Sequence, residues 1–228
     1  MSLKNKIDYS INPSYNSREE RNKFVYSLLE GSTNKSVVNV GSGGERFLQN
    51  FAKDFDVFDI DINGDVDLKV NLERDLPLPL KDNQFGLAVC LDVLEHIETF
   101  HAVFSEINRI TTDRIIISLP NPLHEYMFNI IKGQDYLKEG DDKHRFGRRS
   151  KYYGIPLSKP CDRHKWFFSF DEAYDFFEQN ADKYGYEVEK VFFPRRDTLL
   201  KNIIRRVHFD LYINFVPRAF WIILNKKK

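Results

Sequence analysis

The sequence predicts an α/β chain in which helices cover both faces of a mostly parallel β-sheet. Three observations predict it. β-branched and apolar runs alternate along the chain with segments of helical period. The runs 87–91 (Leu-Ala-Val-Cys-Leu) and 114–119 (Arg-Ile-Ile-Ile-Ser-Leu) are nearly continuous in apolar residues, as strands buried on both faces must be. Finally, 228 residues, 42% hydrophobic and 30% charged, suit one domain with a substantial core.

The elements follow in order. Ser17-Arg-Glu-Glu20 has capping-box spacing, Phe24, Val25, Leu28 and Leu29 follow at helical period, and Gly31 stops the helix, giving an opening helix over 17–31. Residues 36–40 form the first strand, 45–53 a helix, 56–61 a second strand ending in acid, and 65–70 a third. After the buried strand 87–91, Phe100, Val103, Phe104, Ile107 and Ile110 mark a helix over 99–111, and 114–119 is the next strand, stopped by Pro120. Residues 120–168 break the rhythm and are expected to be a long irregular insertion, of the kind that serves as a functional loop or lid. Ser169-Phe-Asp-Glu172 caps a helix to about Tyr184, 187–193 and 219–224 are the last two strands, and 197–216 is one inserted amphipathic helix. One domain thus spans 1–228, with a core over 36–119 and a C-terminal part over 169–228.

The chain carries 34 basic and 34 acidic residues, a balance that disfavours tight nucleic-acid binding. The charge is uneven: Arg195 to Lys228 holds nine Lys/Arg and two Asp. That segment keeps a peripheral contact with a membrane surface open. Two cysteines give no disulfide framework or zinc pattern, residues 1–8 lack a signal-peptide core, and no run approaches 18 apolar residues, so a cytoplasmic address is expected.

The chemistry concentrates at Val37-Val-Asn-Val-Gly-Ser-Gly-Gly44, a strand ending in glycines. Glycines there let a ligand approach the backbone, although a plain tight turn has the same composition. Asp61 lies 20 residues after Gly41 at the end of the second strand, where a carboxylate can accept both hydroxyls of a ribose. Asp59, two residues earlier on the same strand face, is the fallback.

Over residues 35–120 the sequence resembles the class I S-adenosylmethionine-dependent methyltransferases, especially the small-molecule group called type 11. Four blocks carry the resemblance: Asn39-Val-Gly-Ser-Gly-Gly44; Asp61; Asn71-Leu-Glu-Arg-Asp-Leu-Pro-Leu78; and Cys90-Leu-Asp-Val-Leu-Glu-His-Ile97, followed by Glu106-Ile-Asn-Arg109 and Ser118-Leu-Pro-Asn121. The resemblance implies a Rossmann-like three-layer α/β/α sandwich whose seven-stranded sheet has an antiparallel last strand. It implies S-adenosylmethionine as cofactor, held by Asn39, Gly41, Ser42, Gly43, Asp61, Ile62, Asn71, Leu72 and Asp92. Asn39 stands where the family has an acid, Glu45 where it has a third glycine, and Asn71 where it has the adenine-side acid. A dehydrogenase shares the glycine turn and the distant acid, but the Leu-Pro and Leu-Glu-His-Ile blocks argue against one.

On the acceptor side, His96 is the first candidate base and His124 the second. Either could equally serve to close a turn. Asp92-x-x-Glu95-His96 is similar to the Glu-x-x-Glu-His pattern of metal-assisted O-methyltransferases. Metal-free relatives share Leu-Glu-His, so no metal is assigned. Asn121-Pro122 reads as a strand-ending turn. Within the insertion, Lys143 to Lys165 has eight Lys/Arg against one Asp. Arg145, Arg149, Tyr153, Arg163 and His164 are the candidate contacts to an anionic acceptor, with a solvated charged loop as the plain alternative. The expected function is methyl transfer to an oxygen of a small, anionic acceptor such as a nucleotide- or lipid-linked sugar in bacterial surface-glycan synthesis, by a monomer or homodimer that binds no nucleic acid. The alternatives are a non-catalytic S-adenosylmethionine-binding or regulatory module, and an RNA methyltransferase.

Overall fold

The computed structural model describes residues 3–132, 163–195 and 198–227. Seven strands, β1 (Ser36–Val40), β2 (Asp56–Asp61), β3 (Leu68–Lys69), β4 (Phe85–Leu91), β5 (Thr111–Pro120), β6 (Tyr186–Phe192) and β7 (Ala219–Lys226), form one sheet in the order β3-β2-β1-β4-β5-β7-β6. The first five pair in parallel, and β7 runs antiparallel to both β5 and β6. This is the expected Rossmann-like sandwich with its last strand reversed. The strand order turns back between β1 and β4, which opens a crevice at their carboxyl ends.

The period of two along the strands divides the core between the faces. Val38, Val40, Ala88, Cys90, Ile115 and Ile117 pack with α3 (Phe100–Ile110) and α5 (Phe170–Lys183). Val37, Leu87, Val89, Ile116 and Trp221 pack with α1 (Arg18–Leu29) and the short α2 (Phe47–Phe51). Each such buried side chain contributes roughly 1.5–3 kcal/mol relative to exposure. The two predicted caps are present: the Ser17 hydroxyl accepts the Glu20 N–H at 3.1 Å, and Ser169 and Glu172 complete a reciprocal capping box.

Two expectations are corrected. The stretch after β5 does not begin irregular: Pro122–Lys132 is a helix, α4. Asn121-Pro122 is its start signal rather than a strand-ending turn. The Asn121 side-chain oxygen accepts the His124 N–H at 3.2 Å, and proline occupies the first helical position, where its missing N–H costs nothing. The rest of the expected lid, 133–162, lies outside the described residues, and from Arg163 to Ser169 the chain has no regular structure. Secondly, the single helix expected over 197–216 is two, α6 (Leu199–Val207) and α7 (Phe209–Phe215), broken at His208 where φ is −134° and ψ is 78°.

The basic C-terminal segment is also split by the fold. Pro120 pairs with Ala219 and Arg114 with Asn225, so β7 carries Lys226 and Lys227 to the amino-terminal edge of the parallel strands. There Lys227 pairs with Asp182. Arg195, Lys201, Arg205, Arg206 and Arg218 remain at the carboxyl-terminal edge, with the crevice.

Candidate active site

A cleft of about 730 Å³ occupies the crevice. Its donor side is built from the turn after β1. Gly41, Gly43 and Gly44 all have positive φ, between 70° and 79°. A Cβ on Gly41 would lie 2.2 Å from the Val93 side chain, and one on Gly44 would lie 2.7 Å from the backbone of both Asn63 and Gly64. Only glycine fits this close approach. Asp61, at the end of β2, ties the turn together: one carboxylate oxygen accepts the Gly43 N–H at 2.8 Å and the other the Asn63 N–H at 3.1 Å. Each oxygen has the capacity to accept a second hydrogen bond, and Asp61 lines the cleft.

The helix after the glycines is shorter than the sequence suggests. It starts at Phe47 rather than Glu45, because Arg46 takes a left-handed conformation (φ 49°) and bonds to Asp65 and Asp67. The turn itself, rather than a helix end, lines the cleft.

Ser42, Ile62, Asn71, Leu72 and Asp92 line the cleft together with Gly41, Gly43 and Asp61. Asn39 does not. It is buried beneath the turn and donates a 2.7 Å hydrogen bond to Asp59, another fully buried residue, so it shapes the floor rather than the surface. Burial pushes the Asp59 carboxyl above the ordinary carboxylate range, against the opposing bond from Asn39. Asn71 spends its side-chain oxygen on the Glu73 N–H at 2.9 Å. Asp92, at φ 52°, is held by Arg21 and by the Ser118 hydroxyl at 2.6 Å. Arg18 and Arg21 reach the cleft from α1, a contribution sequence reasoning missed, since nothing in an amphipathic helix marks which arginine faces a distant loop.

The acceptor side follows β4. Glu95 and His96 sit in a single 3-10 turn (Leu94–His96), Glu95 fully buried and His96 half-buried, with 3.4 Å between Glu95 Oε1 and His96 Nε2. The returning chain brings His164 onto them. The Lys165 N–H donates to the Glu95 carbonyl at 2.8 Å, the Trp166 indole donates to the Ile97 carbonyl at 2.7 Å, and Lys165 pairs with Glu73. The His164 ring then lies edge-on to His96 with centroids 4.6 Å apart, and its Nδ1 is 3.7 Å from Glu125 of α4. One ligand-capable atom each of Glu95, His96 and His164 fall within 4.8 Å of one another.

The other acceptor-side expectations divide. His124 does not line the cleft among the described residues: it is buried, its Nδ1 lies 2.8 Å from the Phe215 carbonyl, and its ring stacks on Phe128. A helix of period 3.6 turns neighbouring residues to different sides, so Glu125 faces the cleft in its place. Arg163 is exposed and outside the cleft lining. Arg145, Arg149 and Tyr153 lie outside the described residues.

Comparison with known proteins agrees with this architecture. Residues 38–114 match the family model of a methyltransferase domain. An uncharacterized protein of Methanocaldococcus jannaschii is 31% identical over 119 residues, which are 46% of this chain and 52% of that one, so the chain spans about half the length of this relative. Among solved structures, a SAM-dependent methyltransferase from Archaeoglobus fulgidus superposes with a TM-score of 0.56 at 18% identity, over 92% of this chain and 95% of that one. The small RNA methyltransferase HEN1 superposes at 0.57 with 12% identity, over 97% of this chain and 27% of that one. The magnesium protoporphyrin IX methyltransferase of Synechocystis, solved with bound S-adenosylhomocysteine, gives 0.52 at 15% identity, over 92% and 83%. At such identities the structural likeness is one of fold. Residues 38–114, about a third of the chain, thus match a methyltransferase domain, and the whole shares the fold of S-adenosylmethionine-dependent methyltransferases. The cofactor of that class is S-adenosylmethionine.

Proposed function

We propose that this protein transfers the methyl group of S-adenosylmethionine to a hydroxyl oxygen of a small acceptor, and that Glu95, His96 and His164 hold a divalent cation at the acceptor side. The observation that carries this reading is the continuity of one cleft from the Gly41–Gly44 turn and Asp61 to the Glu95–His96–His164 group.

Asp61 accepts from the ribose hydroxyls, Asn71 and Leu72 border the adenine, and Gly41 and Gly43 face the methionine end, with Arg18 and Arg21 nearby as the positive charges for its carboxylate. Bound S-adenosylmethionine supplies a sulfonium-activated methyl: its C–S bond breaks as the new C–O bond forms, leaving S-adenosylhomocysteine. The protein's work is to align acceptor and donor; with His96 engaged as a ligand, the acceptor hydroxyl, its pKa lowered by the ion, would lose its proton to water.

One carboxylate and two imidazoles make a donor set suited to Mn²⁺ or a similar first-row ion. Such an ion would bind the acceptor hydroxyl and lower its pKa. The sequence alone assigns no metal, because the third ligand stands 68 positions from His96. Asp92, the remaining acid of the Asp-x-x-Glu-His run, is occupied by Arg21 and Ser118 and is left out of the set. A small anionic acceptor, such as a nucleotide- or lipid-linked sugar, is the class suggested by the eight Lys/Arg between Lys143 and Lys165.

Calorimetry with S-adenosylmethionine and S-adenosylhomocysteine, on the full chain and on Asp61→Ala, tests the donor side. Micromolar binding, weakened more than tenfold by the substitution (about 1.4 kcal/mol or more), is expected. Absence of binding at millimolar ligand refutes the methyltransferase reading. Methylation of an RNA end in preference to sugar acceptors would move the acceptor class to RNA.

A further inference from the structure

We propose that the outward face of α6, continued by Leu211 of α7, docks the protein on an anionic lipid surface. The reading stands on this surface and does not depend on the acceptor proposed above.

The helix keeps one apolar residue, Ile204, against the core and leaves four others exposed. Positions 199, 203 and 207 stack on one face of a helix, with 200 beside them. These are Leu199, Ile203, Val207 and Leu200, and they are 81%, 50%, 67% and 67% exposed; Leu211 adds 52% on α7. The side turned inward is mixed: Ile204 packs against the core, Lys201 and Asn202 are partly buried, and Arg205 lies over the Tyr9 ring at 5.0 Å. No residue of α6 is buried. A helix of a water-soluble domain normally does the opposite, hiding its apolar stripe against the core. A contiguous apolar face of this kind marks an interaction surface.

Charge selects the occupant. Residues 198–218 hold four Lys/Arg (Lys201, Arg205, Arg206, Arg218) against one acid, Asp210. Of these cations, Arg206 and Arg218 are exposed, and so is Lys4, which lies over the Phe209 ring at 5.6 Å. Apolar side chains rimmed by cations on a short surface helix match the boundary of an anionic bilayer, with acyl chains under the helix and phosphates beside it. The mode is peripheral: among the described residues no helix is long and apolar enough to cross a membrane. The face also lies at the cleft end of the sheet. Asn121, at the start of α4, donates to the carbonyls of Asn214 and Pro217 around the end of α7, and Glu125 of the same α4 lines the cleft.

The test is co-sedimentation of the full chain with vesicles of phosphatidylcholine alone and of phosphatidylcholine mixed with phosphatidylglycerol. Partition onto the anionic vesicles, weakened by salt, is expected. The double variant Ile203→Asp, Val207→Asp should lower that partition by about tenfold or more. Its thermal midpoint should be unchanged, because neither side chain is buried. Arg206→Glu, a surface charge reversal that keeps the apolar face, should weaken anionic binding alone. No partition onto anionic vesicles at low salt, or equal partition of parent and double variant, overturns the proposal. So does a concentration-dependent dimer in sedimentation equilibrium that the double variant abolishes without any vesicle binding, which would assign the face to a second copy of the chain.

Discussion

The two halves of the cleft are built on different physical terms. The donor half comes from neighbouring stretches of chain: the glycine turn after β1, Asp61 at the end of β2, and Asn71 just beyond β3. Its glycine turn is held by backbone conformation and by bonds spanning at most about 20 residues, such as Gly43 N–H to Asp61, and only Asp92 is tied in from afar, by Arg21. The acceptor half gathers Glu95, His96, Glu125 and His164 from three separated segments, and its closure depends on bonds across about 70 to 90 residues, among them Trp166 to Ile97 and Lys165 to Glu73. A close backbone fit tolerates no added atom, whereas a side-chain cluster can lose a member and leave the frame standing.

Breaking the donor half should therefore cost the most. Gly44→Ala places a Cβ 2.7 Å from the Asn63 and Gly64 backbone at a φ of +70°, and no rotamer change relieves backbone contact. A stability loss of about 2–4 kcal/mol is expected in urea titration, with cofactor binding lost alongside. Stability near that of the parent would show that the turn is not a close approach.

The acceptor half should respond differently. His164→Ala removes one imidazole from the Glu95–His96 pair while leaving the glycine turn intact. Mn²⁺ affinity, followed by calorimetry or by paramagnetic resonance, should fall by roughly 10–100-fold, and S-adenosylhomocysteine affinity should stay within about twofold. A matched loss of both would couple the halves and weaken the contrast drawn here. Unchanged Mn²⁺ binding would remove His164 from the ligand set.

The smallest effect belongs beneath the donor turn. Burial raises the Asp59 carboxyl, so the folded state holds its proton more tightly than the unfolded chain does. The penalty is absent below the unfolded pKa and develops as pH rises through the folded value. Asp59→Asn keeps the oxygen that accepts from Asn39 and removes the charge. It should raise stability at neutral pH, with the advantage fading on acidification. A gain that grows toward acid would reverse the assignment.

Much of the donor half was legible because its signals are local. Asp61 follows Gly41 by one strand–helix–strand repeat, and Leu72, Ser42 and Gly43 fall where the motifs place them. Asn39 was misread as a cleft residue. It occupies the motif position, but its side chain meets Asp59 inside the floor, and the inward or outward sense of a strand-end polar residue depends on what lies under it. Helix α4 was missed although Leu123, Tyr126, Met127, Ile130 and Ile131 recur at helical spacing, because Asn121 and Pro122 before them serve a turn and a helix start equally well.

The sequence by itself determined the sheet, its parallel pairing and the glycine turn, since periodicity and left-handed backbone demands are properties of short segments. Only the tertiary structure decided that His164 rather than His124 joins His96, that Arg21 holds Asp92, and that α6 turns its apolar stripe outward. Those outcomes depend on how distant segments pack, and no spacing along one chain encodes the direction in which a helix rotates against a neighbour it meets only after folding.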